Sequence, residues 1–296
     1  MNNIDLINKL YKPYKITKKG KVSIIETTEG KFVIKEKNKN IKELFEYLKS
    51  RNFYNFPNLV DYSRSNIDIY EYKEDYDYPS KQKINDLIDV VSKLHNNTSY
   101  NKEVTEDKFK EIYDNIKSNL DYNEFIYNNI VNDIEKERFL SPSHYLFIRN
   151  SSKIFNEIKF AKEKLNNWYD KVKEKKEYRV SIVHNNLRLN HYIKEDDTLI
   201  SWDKSSVDTP ILDIYNLYKN ESNNIDLEEA INKYIKDNNL SEEERELLFI
   251  LLCIPKEINL SNNEYENVVK IEEMIEYTKG VEKLIRPYYI KDEIKE

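Results

Sequence analysis

The chain changes its hydrophobic period twice. From Tyr14 to Lys35 the runs are short and extended, KVSIIE, then Thr28-Glu29-Gly30, then KFVIK, which predicts a β-hairpin turning at Gly30. Ile41, Leu44, Phe45 and Leu48 come next at helical spacing, with Asn40 and Glu43 as a capping pair. PNLVDY and NIDIYEY are two further extended runs across the polar turn Ser63 to Asn66, so the order is strand, strand, helix, strand, strand. Beyond the polar segment from Lys73 to Ser80, Ile84, Leu87, Ile88, Val91 and Leu94 switch to the i, i+3, i+4, i+7 period of a helix. Most of the remaining chain keeps that period. Asp107 to Glu137 predicts one or two helices, and Ile154, Ile158, Ala161, Leu165 and Trp168 mark another. Asp226 with Glu229 and Ser241 with Glu244 read as capping boxes, and a long last helix starts near Asn263. One extended interruption remains, from Arg179 to Trp202: strand RVSIVH, loop NNLRLN, strand HYIKE, a turn at Asp196-Asp197, and strand TLISW. This is an α+β pattern with a hinge between Tyr72 and Ser80, dividing 1–76 from 77–296.

Composition narrows the classes. With 39% hydrophobic and 34% charged residues in 296, and a mean hydropathy of -0.83, the chain is polar but able to bury a core, and its 24 tyrosines and 11 phenylalanines add apolar area. Lysine and arginine total 48 against 54 acids, spread finely, so no basic stripe marks a nucleic-acid partner. The longest apolar run, Leu247 to Ile254, is far short of the roughly 20 residues a bilayer span needs, and the first fifteen residues lack an apolar signal core. The single Cys253 lies in an apolar helical run, reads as core, and fits a reducing cytoplasm. The bias towards Lys, Asn, Ile and Tyr resembles AT-rich bacterial coding.

The chemistry concentrates in the interruption. His184-Asn185-Asn186-Leu187-Arg188-Leu189-Asn190-His191, then Ile200-Ser201-Trp202-Asp203, then Asp208-Thr209-Pro210-Ile211-Leu212-Asp213-Ile214, resembles the aminoglycoside phosphotransferase and choline kinase superfamily. In that family the loop reads H-G-D-L-x-P-x-N, the next strand ends in I-D-W/F-D, and a G-D-P-x-x-D-L-A element opens a helix. The resemblance implies a protein kinase-like two-lobed fold, with a small strand-rich N-lobe over the nucleotide and a large, mainly helical C-lobe. It implies ATP and Mg²⁺ as cofactors and a small-molecule phosphate acceptor as partner.

Carried over by position, the resemblance makes Asp203 the magnesium ligand, Asp213 a buried brace and His184 the anchor of the loop. Lys35 of FVIK stands where the phosphate-pairing lysine would be, with Glu43, or failing that Glu46, as its ion partner. Ile69 to Tyr72, including Tyr70 and Tyr72, would be the hinge whose backbone meets adenine. The nucleotide cover would be Thr17 to Val22, which holds only Gly20. Two positions depart from the family. Its catalytic Asp falls on Asn186, whose amide does not accept a proton, and its second metal ligand falls on His191, a group suited to softer metals. Arg188 stands where some relatives place a basic phosphate contact; on its residue type alone it reads first as an ordinary exposed arginine. The resemblance therefore implies either a weakly active ATP-dependent small-molecule phosphotransferase or a catalytically silent, pseudokinase-like nucleotide-binding or scaffold protein. The segment EYLKSRNFYNFPNLVDY also resembles the spore-coat branch of the superfamily, whose members often depart from the catalytic pattern, and this adds a third, non-enzymatic reading.

Overall fold

A computed structural model describes residues 11–20, 22–37, 41–61, 67–105 and 107–293. Asn40, Lys21 and the turn from Ser63 to Asn66 lie outside the described residues. The chain forms two compact units, one joining the described residues up to Thr98 with His184–Ser206, the other joining Ser99–Val183 with the described residues from Val207 onward.

The first unit is built on an antiparallel sheet of β1 (Lys15–Lys19), β2 (Val22–Thr27), β3 (Gly30–Glu36), β4 (Leu59–Asp61) and β5 (Ile67–Glu71), in the order β1-β2-β3-β5-β4. The hairpin expected between Tyr14 and Lys35 is there, and β1 adds a third strand. Its five residues, KITKK, are nearly all exposed, so no buried face imprints a period on them; an edge rich in lysine also resists pairing with other chains. Gly30 sits at φ +139° in the turn, where Thr27 Oγ1 donates to the Gly30 carbonyl at 2.9 Å.

Period two gives the sheet two different faces. Ile25, Ile34, Ile67 and Ile69 form a buried cluster with Phe32 and Tyr11 packed against it. Val22, Ile24, Val33, Lys35, Asp68 and Tyr70 are aligned by register on the opposite face. Helix α1 (Ile41–Ser50) buries Ile41, Phe45 and Leu48, and α2 (Ser80–Thr98) buries Ile84, Leu87, Ile88, Val91 and Leu94, the stripe that the period predicted. The same unit holds two-residue strands β8 (Tyr192–Ile193) and β9 (Thr198–Leu199), paired antiparallel, much shorter than the expected HYIKE and TLISW. Short 3-10 turns at Leu189–His191, Lys194–Asp196 and Trp202–Lys204 take up the remainder.

The second unit is mainly helical: α3 (Asp107–Ile134), α4 (Pro142–Val172), α5 (Ile211–Glu221), α6 (Glu228–Asp237), α7 (Glu242–Leu252) and α8 (Glu264–Glu293). In α4 the predicted stripe Ile154, Ile158, Ala161, Leu165 and Trp168 is buried, and Ser141 caps the start by accepting from His144 N. The Ser241–Glu244 capping box forms on α7. On α6 the expected Asp226–Glu229 box is replaced: the cap position falls on the buried Leu227, which makes no side-chain cap, and Asp226 accepts from Glu228 N at 3.0 Å. Strand β6 (Tyr100–Glu103) pairs with β7 (Glu177–Val183); all four β6 residues are exposed, so its pairing is carried by backbone alone. Cys253 is buried. Among the described residues no helix is long and apolar enough to cross a membrane.

Candidate active site

The loop after β7 is shaped by three residues in left-handed backbone conformation. Asn185 has φ +57°, where the family motif has glycine; asparagine is the side-chain-bearing residue that tolerates this region best. Its amide repays the bend by donating to the Lys204 carbonyl at 3.2 Å and to Ser206 Oγ at 2.8 Å. Asp197 (φ +49°) closes the β8–β9 turn, and Ser201 (φ +68°) redirects the chain out of β9 so that Trp202 turns inward and Asp203 outward.

Backbone and side-chain bonds then lock the loop against the segment from Ile200 to Asp203. His184 is fully buried; its Nε2–H donates to the Ile200 carbonyl at 2.9 Å and its ring packs edge-on to Trp202 at 4.7 Å. Ile200 N donates to the His191 carbonyl at 2.9 Å. Trp202 is 3% exposed, donates Nε1–H to the Leu199 carbonyl at 2.7 Å, and packs edge-on against Phe45 and Phe53, each 6.1 Å away. The bend HNNLRLNH and Trp202-Asp203 are therefore adjacent, and α1 and the loop share one aromatic cluster.

A cavity of about 620 Å³ lies over the Lys35-bearing face of the sheet, a volume within the usual small-molecule range. Val22, Ile24, Val33 and Tyr70 form its apolar sheet wall; Lys35, His191, Ser201 and Asp203 supply polar groups. Lys35 Nζ lies 3.4 Å from Asp203 Oδ2 and 3.4 Å from Ser201 Oγ. The two charged side chains are 19% and 35% exposed, so the pair is loosely held and open to a competing anion or cation. Tyr72 is half-buried, and its backbone N donates to the Lys31 carbonyl at 3.0 Å. Burial raises the Tyr70 phenol far above its ordinary range, with Asp68 and Asp203 pushing the same way.

Asn186 is half-buried and its Nδ2 donates to the Ser201 carbonyl at a long 3.4 Å. His191 Nδ1–H donates to the Asn186 carbonyl at 2.7 Å, which leaves Nε2 as the ring nitrogen not bound to this carbonyl. Burial lowers the His191 pKa, against the raising effect of the Asn186 carbonyl, and the Arg188 and Lys35 charges lower it further. Arg188 is exposed, and so is Glu43; the ion pair of Lys35 is with Asp203. Glu46 pairs with Lys42 at 3.8 Å. Asp213 is fully buried in the first turn of α5, in the second compact unit.

Sequence reasoning passed over Asp68. It lies directly across the strand pair from Lys35, is 7% exposed, and its pKa is raised by burial and by Asp203 while Lys37 and Lys35 pull it down. The signal was an acid at the alternate positions of IDIYE, where the other face was apolar.

Magnesium beside a nucleotide is usually held by one or two carboxylates plus phosphate oxygens and water. Asp203, at the cavity wall and partly exposed, fits that requirement as a single carboxylate. His191 offers an imidazole nitrogen, a softer donor. No group of three or more His, Cys, Asp or Glu that would hold a metal by itself occurs among the described residues.

No protein-family model matches the chain, and no curated protein matches it in sequence. Solved structures do match in fold. An aminoglycoside phosphotransferase from Alicyclobacillus acidocaldarius superposes with a TM-score of 0.69 at 8% identity, over 95% of this chain and 93% of that one. Spectinomycin phosphotransferase in its AMP-bound complex gives 0.54 at 12% identity, over 97% and 92%. Its complex with ADP and spectinomycin gives 0.50 at 13% identity, over 95% and 98%. Similarity along nearly the full length of each chain establishes that this protein has the protein kinase-like α+β fold of the aminoglycoside phosphotransferases.

Proposed function

We propose that the chain binds ATP with Mg²⁺ in the 620 Å³ cavity and slowly transfers the γ-phosphoryl group to a small hydroxyl-bearing molecule. The observation that carries this reading is the meeting of Lys35 and Asp203 at the cavity wall, a cation for phosphate and a carboxylate for metal 3.4 Å apart. Residues 1–76 would cover the nucleotide, with the backbone near Tyr70 and Tyr72 facing adenine, and 77–296 would supply the loop and the acceptor region. The two similar spectinomycin phosphotransferase complexes, one with AMP and one with ADP, support the choice of ligand. His184 would anchor the loop, and Arg188 would add charge towards the transferred group. Glu43 points away from the cavity-facing stripe of α1, so Asp68 is the better candidate for steadying Lys35.

In the transfer the bond from γ-phosphorus to the bridging oxygen breaks and a bond to the acceptor oxygen forms; the hydroxyl proton leaves to solvent or phosphate, since the Asn186 amide cannot take it. Lack of a positioned base costs about 10²- to 10⁴-fold in rate. Positioning and charge neutralisation, the larger contributions to phosphoryl transfer, would remain. A protein of this kind, with one buried cysteine, suits the cytoplasm.

The test is thermal stabilisation by ATP with and without Mg²⁺, in the wild type and in Asp203→Ala. Binding at a hundredfold excess over Kd would stabilise by about 2.7 kcal/mol. A magnesium-dependent shift that Asp203→Ala abolishes supports the reading; no shift under any condition removes it. Asn186 favours a second reading, a nucleotide-binding protein without transfer. Asn186→Asp assayed for ATP hydrolysis separates the two: a gain of several orders of magnitude marks the natural chain as silent.

A further inference from the structure

The connection between α3 and α4, residues 135–140, is exposed throughout, and it holds two large apolar side chains in solvent. Phe139 is 80% exposed and Leu140 44%; Tyr145, in the first turn of α4, is 57% exposed, and Tyr265, in the first turn of α8, 77%. These positions gather at one corner of the helical unit, because Glu264, beside Tyr265, accepts from Ser143 N at 2.6 Å and from Ser143 Oγ at 2.9 Å. Other contacts brace the same corner. Ser141 caps α4 by accepting from His144 N, His144 Nδ1 lies 2.9 Å from Glu137 Oε2, and the Arg138 guanidinium lies over the Phe139 ring at 5.5 Å. Rings held out on a braced backbone lose little freedom when a partner covers them.

We propose that this corner is a self-association surface, at which it meets the same corner of a second copy of the chain across a two-fold axis. The proposal stands on the helical unit alone and does not rest on the phosphotransferase reading. An aromatic side chain presents roughly 200 Å² when fully exposed, so Phe139, Tyr145 and Tyr265 leave about 400 Å² in water, and Leu140 adds to it. A patch of that size is often functional. A standard interface buries about 800 Å² per partner, and homodimer interfaces are about 65% apolar, so each copy needs about 520 Å² of apolar surface. These four side chains supply most of it. A face that meets itself must also not repel itself. Residues 135–149 carry Lys136, Arg138 and Arg149 against Glu135 and Glu137, and Glu264 joins them, three cations to three anions. That balance favours a copy of the same face over nucleic acid or an anionic lipid surface, each of which a cationic face attracts.

In a two-fold contact every residue of the patch is used by both copies, so one substitution acts twice per dimer. Glutamate in place of Phe139 or Tyr265 removes a ring and leaves a charge without a partner at the covered centre, once from each side. Apolar burial carries the contact, so salt that screens ion pairs leaves it in place.

The test is analytical ultracentrifugation of the full chain from about 1 to about 100 μM, where the mass is expected to rise towards twice 35.8 kDa at both low and high salt. Phe139→Glu combined with Tyr265→Glu is expected to weaken association by about a hundredfold or more, and Phe139→Ser alone by about tenfold. Tyr54→Glu, which alters a comparably exposed ring in the first unit, should leave the dimer unchanged. Should the double variant fold poorly by circular dichroism, the wild-type dilution series and Phe139→Ser decide the matter. A monomer at the highest concentration overturns the proposal, as does a dimer that the double variant keeps or that Tyr54→Glu also loses. A monomer that instead floats with phosphatidylglycerol vesicles overturns it in favour of a membrane surface.

Discussion

Trp202 is the side chain on which the geometry of the Lys35–Asp203 cavity hangs, and its replacement gives a sharp measurement. The indole is 3% exposed, touches Phe45 and Phe53 edge-on at 6.1 Å and His184 at 4.7 Å, and holds Leu199 through its Nε1–H. Truncating a buried tryptophan to alanine costs about 3–5 kcal/mol, transfer and cavity together. The orphaned Leu199 carbonyl, with part of its surroundings emptied, adds about 1 kcal/mol unless water reaches it. Trp202→Ala should therefore lose about 4–6 kcal/mol, and Trp202→Phe, which keeps most of the ring contact and loses only the hydrogen bond and some area, about 1–2 kcal/mol. Urea unfolding followed by far-UV circular dichroism reads both; the fluorescence of Trp168, the other tryptophan, reports the helical unit separately. Nucleotide affinity should fall in the alanine variant and persist in the phenylalanine one, because the aromatic packing sets where Asp203 emerges. If Trp202→Ala loses less than about 1 kcal/mol, or binds ATP as the wild type does, the idea that this cluster holds the site is wrong.

Asn185→Val should cost about 1–2 kcal/mol for its left-handed backbone and further for the lost bonds to Lys204 and Ser206, whereas Asn185→Gly, relieved of the backbone strain, should lose much less; chemical denaturation ranks the two. Gly280→Ala would set a Cβ 2.6 Å from the Tyr218 hydroxyl oxygen, so a loss of about 1–3 kcal/mol should outweigh the helix propensity gained, and adding Tyr218→Phe should recover most of it in a double-mutant cycle. Glu157 binds its proton more tightly folded than unfolded, so stability should fall as pH rises from about 4.5 to 8 and stay level above; Glu157→Gln should remove that slope and be the more stable protein at pH 9 by roughly 1–3 kcal/mol in pH-dependent denaturation.

How far the fold could be seen in the sequence depends on which faces are buried. The α4 stripe from Ile154 to Trp168 is legible because one side of a long helix is packed and the other wet, so burial writes a 3.6-residue period into the residues. Strands β1 and β6 are illegible for the converse reason: their residues are nearly all exposed, and their place in a sheet is settled by backbone hydrogen bonds that any side chain permits. Between those limits, HYIKE and TLISW have the composition of strands but sit where the chain must bend at Asp197 and Ser201, and the bends leave only two residues of each to pair.

The site was legible where it is local and obscure where it depends on rotation about an axis. Asn185 to Asp203 lie within one loop and hairpin, so their order along the chain already brings them together once the turns close. The partner of Lys35 depends instead on which way α1 faces. Ile41, Phe45 and Leu48 are its buried stripe, and at about 100° per residue Glu43 stands roughly 200° around from Ile41, on the solvent side. The period that predicts this helix thus also turns Glu43 outward. The same reasoning applied to β5 turns Asp68 inward: Ile67 and Ile69 belong to the packed face, so the residue between them must share the other face with Val33 and Lys35. An acid held there at 7% exposure is costly unless cations share its surroundings, and Lys37 and the cross-strand Lys35 are those cations. Neutralising Asp68 as Asn should therefore weaken the hold on Lys35 and lower its affinity for phosphate, while Glu43→Gln should leave nucleotide binding as it is. The reverse order of effects would show that α1 turns towards the cavity when nucleotide binds.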